Sequence, residues 1–97
     1  MLVKIHKTPD GRRLLTLCDN DLLGKKFEDQ QRQLDISVSF YGGNERKEED
    51  IKKLIKGAYI LNVVGRKSID FCIEQGVIST ENIITVQNIP HAQTMFD

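Results

Sequence analysis

Residues 2–7 alternate in polarity. Leu2, Lys4 and His6 face one way and Val3, Ile5 and Lys7 the other, which predicts a strand. Thr8 to Gly11 reads as a turn: Pro9 presets φ, Asp10 tolerates turn geometry, and Gly11 can take positive φ. The apolar run in RRLLTLCD predicts a second strand, so residues 2–18 should form an antiparallel hairpin with LLTLC central in its sheet. Asp19 or Asn20 then caps a single helical turn that Gly24 ends, and GKKFED begins another extended piece.

RQLDISVSF alternates more sharply than any other stretch. Leu34, Ile36, Val38 and Phe40 fall on one face, against Asp35, Ser37 and Ser39. That predicts a half-buried strand, with Phe40 in the core and Tyr41 at least partly exposed. Gly42 and Gly43 then turn the chain, and Asn44 caps a following helix. From Glu45 the period changes. Ile51, Leu54, Ile55 and Ala58 recur at helical spacing, with acids in front and lysines behind, an order that suits the helix dipole. The same face continues through Asn62, Gly65, Ile69 and Cys72 to a stop at Gly76. Residues 46–75 are therefore expected to be mostly helical, as two helices or one broken near Gly57. A last strand is expected over residues 82–87. The tail IPHAQTMFD should be extended at its start, because Ile89 precedes a proline.

Strands followed by helices argue for an α+β fold: an antiparallel-rich sheet with a helical pair packed on one face. The 97 residues, 39% hydrophobic and 29% charged, suit one globular domain, 1–97. Lysine plus arginine equals aspartate plus glutamate at 14 each, so no global charge pulls the chain toward nucleic acid or anionic lipid. DNA is not expected as a partner. Cys18 and Cys72 form no CxxC pair and cannot supply a zinc site alone, so they read as reduced, buried, metal-free thiols. The N-terminus lacks the pattern of a signal peptide, and no run approaches a membrane span, so a cytoplasmic location is expected.

KIHKTPDG, CDNDLLGKKF, LDISVSFYGG, LNVVGRKSID and IPHAQ occur in that order. Together they resemble the archaeal family catalogued as domain of unknown function 424, over nearly the whole chain. The resemblance implies a small, stand-alone, cytoplasmic archaeal protein. It implies no established activity, so no catalytic residue carries over.

Three stretches could carry chemistry. In SFYGG, Gly42 and Gly43 could let backbone approach a ligand or offer amides to an anion while Tyr41 stacks on a ring; a plain strand-to-helix turn explains the same residues. In NVVGRKS, Asn62 falls on an apolar face, where its amide must hold a loop, a neighbouring backbone group or a ligand. Gly65 implies close packing or a bend. Arg66 and Lys67 could contact phosphate or simply face solvent. In PHAQ, His91 could act as a base, or His91 and Gln93 could lock the tail by hydrogen bonds. No nucleophile is tied to His91, and nothing in the spacing of His6 and His91 supports a metal. The basic pairs Arg12–Arg13, Lys25–Lys26 and Lys52–Lys53 would grip a phosphate backbone only if the fold brings them together.

The residues thus favour a small binding module acting through a protein or RNA partner, without cofactor. The alternative is a small enzyme or ligand-binding protein with Tyr41, Asn62 and His91 in one cleft. A homodimer through an exposed sheet edge also remains open.

Overall fold

The structure is a computed structural model and describes residues 1–96. The N-terminal hairpin forms as the turn residues dictate. Gly11 takes φ +85°, its amide bonds Thr8 O at 2.9 Å, and the Thr8 amide bonds Arg12 O at 2.7 Å. Strands β1 (Leu2–Lys7) and β2 (Arg13–Cys18) pair antiparallel, with Lys7 opposite Arg13 and Leu2 opposite Cys18. A 3-10 turn at Asn20–Leu22 follows, and Gly24 leaves it at φ +84°. Strands β3 (Lys26–Glu28) and β4 (Gln33–Asp35) make a small separate hairpin.

The alternating strand expected over residues 34–40 stops early. Leu34 and Ile36 are buried, but the Ser37 hydroxyl accepts the Phe40 amide at 3.2 Å and caps a one-turn helix, α1 (Val38–Tyr41). Helical spacing replaces alternation from that cap onward. Val38 is thrown outward at 60% exposure, Phe40 is half-buried, and Tyr41 enters the core at 4%. The expected roles of Phe40 and Tyr41 are therefore reversed. Asn44 caps nothing. It joins Glu45 in the short strand β5 (Asn44–Glu45) along β1, and helix α2 (Glu48–Lys56) starts after Lys47.

The helical reading of residues 46–75 is corrected in the middle. Ile60–Val64 is a strand, β6, between α2 and α3 (Arg66–Glu74). A strand buried on both faces reads as a continuous apolar run, and five such residues also fit a helical stripe. Gly76, at φ +72°, ends the second helix as expected. The strand at Ile83–Val86, β7, is present. The tail is a full strand, β8 (Ile89–Met95), joined to β7 by Gln87 and Asn88 at positive φ.

The main sheet runs β5-β1-β2-β6-β8-β7. Only β2 and β6 are parallel; the other pairs are antiparallel. On one face Leu15, Leu17, Leu61, Val63 and Ala92 pack under Ile51 and Ile55 of α2 and Ile69 and Cys72 of α3. Each large aliphatic side chain so buried stabilises the fold by about 1.5–3 kcal/mol. On the other face Cys18, Val64 and Val86 meet Leu22 of the 3-10 turn, Leu34 of β4, Ile36 just after it and Tyr41 of α1. The fold is α+β, with both longer helices on one face.

Candidate functional site

The βα junction after β6 is closed by a residue far away in sequence. Asp19 is 7% exposed, and its carboxylate accepts the Lys67 amide at 3.1 Å, the Ser68 amide at 2.8 Å and the Ser68 hydroxyl at 2.7 Å. It fills the N-terminus of α3, where a phosphate would otherwise find free donors. Gly65 is required there. It sits at φ +106°, and an added Cβ would lie 2.3 Å from Asp19 Cγ. The close packing expected of Gly65 is real, although the residue precedes the helix rather than lying within it. Arg66 and Lys67 are exposed at its first turn. The amides of Gly42 and Gly43 are likewise taken, by Val38 O at 2.8 Å and Tyr41 O at 2.9 Å, so the glycine pair offers no anion nest. Gly43 instead lets the chain pass β1: a Cβ would lie 1.8 Å from Val3 O.

Several of the remaining candidates share the sheet face under α1. Thr16, Asn62 and Gln93 lie side by side on β2, β6 and β8, and His91 pairs with Val64 one step along. The Tyr41 hydroxyl is 3.5 Å from His91 Nε2. His6 donates from Nε2 to Phe40 O at 2.9 Å, and its ring stacks on Phe40 with centroids 5.0 Å apart. Phe40 in turn meets Tyr41 edge-on at 4.9 Å. Burial, then the neighbouring Cys18, pushes the Tyr41 phenol up to about 12, and burial lowers His91 below its usual value of 6.5. Both are therefore neutral near pH 7. Burial also pushes the Cys18 and Cys72 thiols up to about 12, so neither is a ready nucleophile. The two thiols are free and lie in different core clusters. Among the described residues no group of three or more His, Cys, Asp and Glu gathers as a metal site.

A second location combines charge with aromatic rings. An open cleft of about 550 Å³ lies at the turn end of the first hairpin, lined by Lys7, Arg12, Arg13, Lys56, Tyr59 and Phe96 among others. The fold forces this meeting. Lys7 and Arg13 are the closing pair of the hairpin, the Tyr59 amide bonds Arg13 O at 2.9 Å, and the Phe96 amide bonds Tyr59 O at 2.8 Å. Lys56 is the last residue of α2. The Arg12 guanidinium lies over the Tyr59 ring, 4.2 Å from its centroid. Its ion pair with Asp10 at 3.0 Å is exposed and weak. A neighbouring hollow shares Lys56 and adds Lys52. Of the three basic pairs, Arg12–Arg13 and one member of Lys52–Lys53 thus converge, whereas Lys26 lies in β3 and faces Asp35 at 3.9 Å. Lys7 and Lys56 were detectable as residues flanking a turn and ending a helix. Tyr59 and Phe96 carried no such signal, because only the β6–β8 pairing brings them together.

No helix among the described residues is long and apolar enough to cross a membrane. In comparison with known proteins, the profile of the family described as protein of unknown function, DUF424, matches residues 6–96. None of the curated proteins matches. The crystal structure of an uncharacterized conserved protein from Methanopyrus kandleri is similar, with a TM-score of 0.78 and 27% identity, over 96% of this chain and 88% of that one.

Proposed function

The chain belongs to the DUF424 family, and from that premise we propose that it is a small, non-catalytic module that binds single-stranded RNA through the basic cleft. The observation that carries the reading is the convergence of Lys7, Arg12, Arg13 and Lys56 with two aromatic rings on one open surface of a chain with zero net charge. Cations track a phosphate backbone and rings stack on bases, and a strand-binding surface needs both. We also place the protein in the cytoplasm, a setting that its two buried, unpaired thiols support.

Fluorescence anisotropy with a labelled RNA strand of about 12 nucleotides tests it. Three or four phosphate contacts predict an affinity loss of roughly twentyfold to fiftyfold between about 50 and about 200 mM salt. Salt-independent binding, or equal binding of a DNA strand of the same sequence, would overturn the assignment.

A further inference from the structure

Gly57 ends α2 and is exposed. Of the seven glycines, it alone has no backbone reason to be one. Gly11, Gly24, Gly65 and Gly76 take positive φ, and a Cβ on Gly42 or Gly43 would run into the carbonyl oxygen of Val38 or Val3. Gly57 has φ −99° and ψ 7°, a conformation that needs no glycine. The one close neighbour of a Cβ there would be a side chain from another element, Nη1 of Arg13, at 2.9 Å. The next two, Arg13 Cζ at 3.7 Å and Leu54 O at 3.9 Å, are ordinary contacts. Alanine in such a conformation normally stabilises a protein, because glycine has more freedom to lose on folding.

The space left open suits a cation. Arg13 is half-buried, and its carbonyl accepts the Tyr59 amide at 2.9 Å, which fixes its backbone beside the end of α2. The last carbonyls of that helix carry partial negative charge, and Lys53 and Lys56 lie in its last turn. Arg13, Lys56 and Gly57 all line the basic cleft. The negative end of α2 is thus what lets like charges stand together there. No carboxylate among the described residues pairs with Arg13.

We infer that Gly57 is a positioning residue of the cleft: its missing side chain makes the seat that holds the Arg13 guanidinium ready for a phosphate of the bound strand. The phosphate rests on the RNA reading, whereas the seat itself does not. A donor held in place binds without first losing the freedom of a long side chain. An added methyl would push Nη1 aside at little cost to the fold, because the far end of a flexible side chain can move.

The test is Gly57→Ala in the full chain, with three measurements. Melting curves should give the parent temperature or a higher one. Nitrogen–proton NMR without RNA should show a shifted Arg13 Nε signal. Anisotropy with the labelled RNA strand should show an affinity several-fold lower, with the slope of log affinity against log salt reduced by roughly 0.7. In an Arg13→Gln chain, Gly57→Ala should add nothing further, because the two changes remove one contact. An unmoved Arg13 signal would overturn the seat whatever the RNA result. A moved signal with parental RNA affinity, or additive losses in the double variant, would overturn the positioning role and leave the RNA reading standing. A marked fall in melting temperature would show that the fold itself needs the glycine, and would overturn the inference as well. Failure of the parent chain to bind RNA would overturn the RNA reading and the positioning role with it, while the Arg13 signal still reports on the seat.

Discussion

Asp19 and Ser68 hold the start of α3 to the end of β2: one carboxylate oxygen of Asp19 accepts both the Ser68 amide, at 2.8 Å, and the Ser68 hydroxyl, at 2.7 Å. The other oxygen takes the Lys67 amide, so a residue nearly half the chain away does the work of an N-cap. Removing it with Asp19→Ala should cost about 1.5–3 kcal/mol, the range for hydrogen bonds to a charged acceptor. Gly65→Ala should cost at least as much, because both φ and the Asp19 carboxylate oppose a Cβ. Denaturant titration measures both, and a wild-type midpoint for Asp19→Ala would dismiss the cap.

His91 predicts a pH dependence. Burial holds its folded-state value below 6.5, so the unfolded chain binds the proton more readily. The stabilising contribution is full above pH 6.5 and is lost as pH falls below it toward the folded value. Melting temperature should therefore decline on acidification through this window, and His91→Gln should flatten the decline. A slope unchanged in that variant would assign the loss to other groups.

Tyr41 and Phe40 separate the two faces of α1. Tyr41 is buried among Cys18, Ile36 and Val64, so Tyr41→Ala should cost about 3–5 kcal/mol. Phe40, half-buried against His6, should cost only about 1–2 kcal/mol on the same change. Chemical denaturation of the two variants checks the order, and a larger loss for Phe40→Ala would restore the alternating-strand register.

That order could not be read from LDISVSFYGG, and the reason is local. Leu34 and Ile36 do alternate into the core, but Ser37 offers a cap that competes with the strand three residues before Phe40. The first hairpin was legible because Pro9 and Gly11 specify a turn within four residues. The position of β6 was not, because YILNVVG lies between two true helices and satisfies both periods. Asn62, His91 and Gln93 stand out in LNVVG and PHAQ as polar side chains, and the strand pairing of β6 with β8 is what puts them on one face. Gly65 in NVVGRKS implies close packing or a bend, but its partner Asp19 is reached only through the parallel pairing of β2 with β6. The basic cleft was half legible. Arg12–Arg13 stood out as a pair, while its rings come from the far ends of β6 and β8.

The cleft makes a prediction that distinguishes phosphate contacts from generic charge. Lys7→Gln, Arg13→Gln and Lys56→Gln should each weaken RNA binding and each lower the slope of log affinity against log salt by roughly 0.7, one contact's share for a single strand. Tyr59→Ala should act differently. It removes a stacking surface worth about 1–3 kcal/mol without changing the number of phosphates neutralised, so affinity should fall while the salt slope holds. Lys26→Gln, whose side chain faces Asp35 outside the cleft, should change neither quantity. Anisotropy titrations at several salt concentrations give both numbers for every variant, after melting curves establish that each one folds. Equal effects from Lys26→Gln and Lys56→Gln would mean that RNA senses only overall charge. The cleft would then lose its claim, because its geometry, rather than the balanced charge of the chain, is what supports an RNA partner.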